Sequence, residues 1–445
     1  MRVSLSSFRS LSGTRPCFNA RRSAISLRSF STSTTEPSSH LDEDSPSLEQ
    51  SKMTGLDKKI HIMGMGNMGS FFAHALGSLP VRPPITLLLH HTGFYSSWKK
   101  RKGIIVRRNG LDEHRSGYNV NVLQDGVWYS PSEIVNSPKE LVDEEEAQAQ
   151  ALDQPVQPAD SEMIEHLILT VKTTQVMNAL KSVAHRLTPD STILFVHNGM
   201  GIVEEVNEKI FPDVKTRPNY MCGITSHGLY RTDPFHATHA GVGTTPISVI
   251  YSNQEQTAQD KELKRHIYAP STNYLLNTVT HAPELTAMGV SRTDFIQFQL
   301  EKLAVNCVIN PLTVLADCKN GELLYNFSLS RVQRLLLIEI SAVICALPEL
   351  QGVPGIQARF APERLRTLAV GIANKTSENI SSMLQDVRSA KETEIVYLNG
   401  YIVRRGEELG IKCALNYMIL QLIQGKAKMV YKRAAGEIPL DVSNL

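Results

Sequence analysis

Short apolar runs of strand length, separated by helical stretches, mark the first half of the chain, and the longer apolar period of helices takes over in the second. The first strand is expected at Lys59-Ile60-His61-Ile62-Met63. It runs into the glycine-rich Gly64-Met65-Gly66-Asn67-Met68-Gly69, after which Met68, Phe72, Ala75, Leu76 and Leu79 recur at helical spacing as far as Pro80. Further strands are expected at 85–90, 166–171, 193–196, 220–225 and 246–251, alternating with helical stretches such as 201–210. Strand and helix in alternation predict an α/β, Rossmann-type, doubly wound domain. From about 293 onward the strand signals fade and helical intervals take over, as at Ile380, Met383, Leu384 and Val387, and again at Ile395, Leu398 and Ile402. The expected organisation is a dinucleotide-binding domain over 58–292 followed by an all-α domain over 293–445.

The ends and one insertion depart from this pattern. Residues 1–35 carry Arg2, Arg9, Arg15, Arg21, Arg22 and Arg28 and no acid, the first carboxylate being Glu36. That is the composition of a mitochondrial presequence, and Arg28-Ser29-Phe30-Ser31 resembles a matrix-processing site. Residues 36–57 are polar and acidic, without an apolar period that would support ordering, and read as a linker. Residues 131–160, with the run Asp143-Glu144-Glu145-Glu146, read as a surface insertion whose acidity serves solvation.

Over the whole chain 46 Lys and Arg stand against 44 Asp and Glu, which speaks against nucleic acid as the main partner. No apolar run reaches the roughly 18 residues of a spanning helix, so no membrane is expected either. Cys17, Cys222, Cys307, Cys318, Cys345 and Cys413 are scattered, without paired spacing, and read as reduced thiols.

A glycine triplet of this spacing is a weak signal by itself, but here it lies between a strand and a helix, the context that dinucleotide binding needs. Gly64 allows the tight turn, Gly66 lets a pyrophosphate approach the backbone, and Gly69 permits close packing of helix on strand. An acid at the end of the second strand would bond both ribose hydroxyls and repel a 2′-phosphate. His90 and His91 stand there instead, which favours NADPH over NADH. Lys99, Lys100, Arg101 and Lys102 offer positive charge nearby, although such a run also suits a solvated face.

A second concentration of chemistry lies in Lys302-Leu-Ala-Val-Asn306-Cys-Val-Ile-Asn310-Pro311, where an amine and two carboxamides recur every four residues in an apolar helix. That spacing puts them on one face, as an interhelical network, a solvent-facing stripe or a site. Pro311 is expected to end or kink the helix at Asn310. His227, His236 and His239 lack the accompanying Cys or acid spacing of a metal site, and none is expected. Met63, Met65, Phe71 and Phe72 read as packing residues.

The stretch from Lys302 to Thr313, with Asn320-Gly-Glu-Leu323, Ser377-Glu-Asn-Ile-Ser-Ser382-Met-Leu-Gln-Asp386 and Thr393-Glu394-Ile395, closely resembles the ketopantoate reductases (2-dehydropantoate 2-reductases). Upstream the likeness extends through Val171-Lys172-Thr-Thr-Gln175 and His197-Asn198-Gly199-Met200-Gly201, covering roughly 58–425 apart from the insertion. The resemblance implies that Lys302 donates the proton and that Glu394 bonds the lysine and the substrate hydroxyl. It implies substrate contacts at Asn198, Asn306, Asn310 and Ser382. It implies cofactor contacts at Lys172, Gln175, Asn198 and Glu394 beside the glycine loop. His91 departs from the arginine usual in that family, which leaves the strength of the NADPH preference open.

The residue types suit hydride transfer to a 2-keto carbon, because the developing alkoxide needs a proton and a fixed positive charge beside it. The expectation is a mitochondrial, NADPH-dependent reductase of ketopantoate that makes D-pantoate for pantothenate and coenzyme A. A reductase of another small branched 2-keto acid and a catalytically silent relative that binds partners in mitochondrial gene expression are the alternatives. A homodimer is left open, as are the roles of the insertion and of the basic tail with Lys426, Lys428, Lys432 and Arg433.

Overall fold

The computed structural model describes residues 57–90, 92–131, 157–251 and 268–437. The basic leader, the linker up to residue 56, Cys17, His91, the insertion from 132 to 156 with its acidic run, and residues 438–445 lie outside the described residues.

Fourteen strands are described, in chain order β1 (Ile60–Met63), β2 (Ile85–Leu89), β3 (Ile104–Arg108), β4 (Leu111–Arg115), β5 (Asn119–Gln124), β6 (Val127–Ser130) and β7 (Gln157–Pro158). There follow β8 (His166–Leu169), β9 (Thr192–Val196), β10 (Asn219–Gly223), β11 (Gly228–Asp233), β12 (His236–Gly241), β13 (Thr245–Tyr251) and β14 (Ala287–Gly289). Ten form one sheet in the order β14-β13-β10-β9-β8-β1-β2-β5-β6-β7. β1, β2, β8, β9 and β10 are buried at every position, as in a parallel sheet covered on both faces. From β1 the chain builds outward through β2 to β5, then returns to lay β8 on the other side of β1. The order therefore reverses between β1 and β8, and the carboxyl ends there open the crevice in which such sheets bind ligands.

The apolar pattern anticipated the central strands but not a second sheet, ordered β11-β12-β3-β4. Two of its strands, β4 and β11, are exposed over most of their length and give no clean apolar period. This sheet backs the helix Asn67–Leu76, where the rings of His227 and His239 pack at 5.0 and 4.8 Å from Phe71. His227 faces the Leu285 carbonyl at 2.9 Å and His239 at 3.0 Å, whereas His236 lies 3.5 Å from Asp112. The three histidines do not converge. The insertion's far end also departs from the sequence reading, since residues 157–158 are the edge strand β7.

The helical lobe is organised by the helix Arg292–Ala316, which starts on the Ser291 hydroxyl accepting from the Asp294 N–H at 3.0 Å. Of the two outcomes expected at Pro311, an end or a kink, the helix does not end there but continues to Ala316. A proline at 311 leaves the Cys307 carbonyl without its intrahelical donor. The Asn399 side chain donates to that carbonyl at 3.0 Å, and Asn399 and Asn416 are both fully buried. Lys426 donates to the Val314 carbonyl near the end of the same helix, so one of the basic tail residues is a cap. An expectation that fails is continuous helix across 395–402. Residues Glu394–Tyr397 form a short 3-10 turn, Leu398 turns sharply out of helical geometry, and a new helix begins at Asn399–Glu408.

Candidate active site

The helical lobe docks on the carboxyl ends of adjacent parallel strands, and every polar contact that defines the candidate site is made there. The glycine loop follows β1. Gly64 has φ of +103°, and a Cβ on it would lie 2.5 Å from the Val171 nitrogen. A Cβ on Gly69 would lie 2.3 Å from the Gly64 carbonyl oxygen. A Cβ on Gly66, by contrast, would meet nothing within 4 Å. Gly64 and Gly69 are thus required by packing, while Gly66 opens onto free space at the N-terminus of the helix Asn67–Leu76, where unpaired N–H groups favour an anion. The Thr170 hydroxyl fixes the loop by donating to the Gly64 carbonyl at 2.8 Å. This cradle fits a dinucleotide pyrophosphate. Met65 is buried, Asn67 reaches the Leu229 carbonyl at 3.4 Å, and Met68 is half-buried beside it.

At the end of β8, Lys172 forms an ion pair with Asp386 of the helical lobe. Gln175 is exposed. Between them, Thr173 donates through both its N–H and its hydroxyl to Glu394, each at 2.9 Å. Asn198, after β9, donates to the other Glu394 oxygen at 3.2 Å. Glu394 is only 9% exposed, so a charged carboxylate here needs these donors. The asparagine loop is tied to the same short turn, because the Met200 N–H donates to the Tyr397 carbonyl at 2.9 Å and the Tyr397 hydroxyl to Glu205 at 3.0 Å. Gly199 makes this approach possible, since its φ is +77° and a Cβ would lie 2.6 Å from the Tyr397 oxygen.

At the end of β10, the Lys302 ammonium donates to the Thr225 carbonyl at 2.8 Å. Lys302 sits deep between the lobes yet keeps some surface open to the cleft. Burial pulls its pKa down to about 8, against a smaller upward pull from the Glu394 charge. The direct Lys302–Glu394 bond implied by resemblance is not made here: Lys302 donates to the Thr225 carbonyl, and Glu394 accepts from Thr173 and Asn198. Asn306 and Asn310 follow on the same helical face, one half-buried and one 9% exposed. Their carboxamides make no hydrogen bond among the described residues. Ser382 is exposed, while its neighbour Ser381 caps the helix Ser382–Arg388 and bonds Thr313 at 2.7 Å.

Beside the second strand, His90 is exposed, with its ring 5.8 Å from that of Phe94. In the nearby basic run, Arg101 binds the Pro234 carbonyl at 2.9 Å, and Lys99 lies over the Tyr95 ring at 5.1 Å. Asp386, Thr173 and Thr225 were not singled out from the sequence, and Thr173 and Thr225 act through contacts that no local pattern encodes. Asp386 stood inside a recognised motif, and its isolation between Met383, Leu384 and Val387 at buried positions was the available signal.

Residues 60–251 match the family model described as "Ketopantoate reductase PanE/ApbA", and residues 294–427 its C-terminal counterpart. A protein of Schizosaccharomyces pombe described as a probable 2-dehydropantoate 2-reductase is 28% identical, over 83% of this chain and 97% of its own. A ketoisovalerate reductase of Beauveria bassiana is 24% identical, over 80% of this chain and 79% of its own. The solved ternary structure of D-mandelate dehydrogenase with NADH and anilino(oxo)acetate shares the fold, with a TM-score of 0.57 and 18% identity over 84% of this chain and 99% of that one. With both halves matched in order and the lobes joined as described, the chain belongs to the ketopantoate reductase family of oxidoreductases.

Proposed function

We propose that the protein reduces ketopantoate to D-pantoate with NADPH, in the mitochondrial matrix, for pantothenate and coenzyme A synthesis. The observation that carries this reading is the Lys302 ammonium, brought by burial to a pKa of about 8 beside an anchored Glu394 at the edge of the crevice. A nicotinamide dinucleotide on the glycine loop would supply the hydride. The loop's backbone and the helix N-terminus would hold its pyrophosphate, with Lys172, Gln175 and Asn198 as further cofactor contacts. Lys302 passes a proton from Nζ to the oxygen that gains charge, an ammonium ionising near neutrality being well matched to that task. Glu394, held by Thr173 and Asn198, favours the ammonium form of Lys302 and accepts from the product hydroxyl.

Asn306, Asn310 and Ser382 are neutral donors for the substrate carboxylate and hydroxyls. Two uncommitted carboxamides favour ketopantoate, whose extra hydroxyl they can bond, over a keto acid that would leave them unpaired. A second reading, ketoisovalerate as substrate, draws on the ketoisovalerate reductase among the relatives. The absence of an acid at His90 and His91 supports NADPH. Steady-state kinetics with ketopantoate and ketoisovalerate, each with NADPH and NADH, test the reading. The expected order of kcat/KM places ketopantoate with NADPH first; a higher value for ketoisovalerate moves the assignment to the second reading. Import of the full chain into isolated mitochondria, with loss of the leader, tests the location.

A further inference from the structure

The Lys172–Asp386 pair joins the two lobes at the mouth of the crevice. Lys172 follows β8, one residue beyond Val171, whose nitrogen would touch a Cβ on Gly64, and two beyond Thr170, which bonds the Gly64 carbonyl. It therefore stands beside the glycine loop at the β1/β8 switch point, where a dinucleotide's phosphates would lie. Its side chain is 39% exposed, while the Asp386 side chain is only 11% exposed. Among the described residues the Asp386 carboxylate takes no side-chain hydrogen bond other than that of Lys172.

The groups charging this pocket are few. Lys172 reaches Asp386 from the β8 end, Glu394 acts on it from the short turn, and Lys391 from the loop between. Glu394 repels it, and burial outweighs the two lysines, so the Asp386 carboxyl is raised above the usual aspartate range even with Lys172 in place. A phosphate arriving on the glycine loop is a second anion for the same ammonium. The more exposed partner, Lys172, is free to turn to it, and the aspartate is then left in a nearly dry pocket beside Glu394.

We propose that Asp386 is the counter-ion of Lys172 in the cofactor-free enzyme, and that binding a dinucleotide phosphate to Lys172 is accompanied by uptake of a proton from solvent onto Asp386. The inference rests on the cofactor reading of the glycine loop. The ion pair between the lobes is thereby exchanged for a cation–phosphate contact, and a neutral carboxyl replaces a buried charge. Cofactor affinity then weakens as pH rises, by up to about tenfold per pH unit at the limit of one linked proton.

The test is calorimetric titration of the protein with NADPH in two buffers of different ionisation enthalpy, repeated on Asp386→Asn and Lys172→Met, with melting temperatures to verify folding. The 2′-phosphate of NADPH titrates too, so the readout is the difference in protons between wild type and Asp386→Asn. The wild type is expected to take up a substantial fraction of a proton more. Asp386→Asn, lacking the competing anion, is expected to bind NADPH about tenfold more tightly at pH 8, equivalent to about 1.4 kcal/mol. Lys172→Met is expected to bind weakly and without the Asp386-dependent uptake. Equal proton counts and equal affinities in wild type and Asp386→Asn overturn the inference and leave the cofactor reading standing. Failure of the wild type to bind NADPH or NADH overturns both.

Discussion

The glycine loop and the polar face of the helix Arg292–Ala316 serve one cleft but are built in opposite ways. The loop is backbone: a positive φ at Gly64, a close approach at Gly69 and open space over Gly66, with the helix N-terminus behind it. Its chemistry is fixed by local geometry and owes little to burial. The helical face is side chain, and its properties come from where the lobes meet. Lys302 is an ordinary lysine until burial at the end of β10 brings it to a pKa of about 8, and Glu394 becomes an anchored carboxylate only against Thr173 and Asn198. Substitutions in the first region should separate folding from binding, whereas those in the second should separate chemistry from folding.

The largest effect is expected at Lys302. Lys302→Ala should lower kcat about 10³-fold in NADPH oxidation with ketopantoate, with a small change in melting temperature. In the wild type the ammonium is the active form and its pKa is lowered to about 8, so kcat/KM should fall as pH rises through about 8. A pH profile without that limb would remove Lys302 as proton donor.

The two-part character of the loop is tested by alanine at adjacent glycines. Gly64→Ala places a Cβ 2.5 Å from backbone at φ of +103° and should cost about 3 kcal/mol or more of stability. Gly66→Ala meets nothing within 4 Å and should leave the denaturant midpoint unchanged while weakening NADPH binding at least about tenfold. Equal destabilisation by both would show that the loop is only a turn.

Away from the cleft, at the opposite end of the strands, His166 begins β8 buried against Tyr274, with rings 4.8 Å apart. Burial lowers its pKa from 6.5 to about 4. The unfolded chain therefore takes the proton first as pH falls, and stability is lost between pH about 6.5 and about 4. The loss is about 3 kcal/mol for this group. Unfolding free energies of the wild type and His166→Phe at pH 7 and pH 4.5 measure it, and parallel pH dependence in the two would refute the assignment.

The smallest expected effect concerns the support of the stripe. Asn399→Ala removes the donor to the Cys307 carbonyl, at a cost of about 1 to 3 kcal/mol. In a Pro311→Ala background the restored N–H can reach that carbonyl, so the same substitution should cost less. A double-mutant cycle without coupling would mean that Asn399 serves only Asn416.

Much of this was legible in the chain because the relevant forces are local. A buried parallel strand leaves a continuous apolar run, a glycine turn its spacing and a polar stripe its four-residue interval, and the strands at Ile60–Met63 and Thr192–Val196 lie within a residue of their expected places. The second sheet was harder to read, since two of its strands, β4 and β11, face solvent along most of their length. The passage of the helix beyond Pro311 was hidden for a related reason: the rule about proline concerns a helix alone, and here a side chain 88 positions further on, that of Asn399, supplies the missing donor.

By itself the sequence determined the two-part architecture, the dinucleotide loop and the family, because hydrophobic period, glycine spacing and long motifs are properties of contiguous residues. Only the tertiary structure decided that the helix passes through Pro311, that Glu394 opens a short 3-10 turn broken from the next helix at Leu398, and that Lys172 is held by Asp386. Each of these depends on which distant group arrives to satisfy a buried carbonyl, carboxylate or ammonium. The demand for such a partner can be read along the chain, but the partner's identity is set only when the lobes pack.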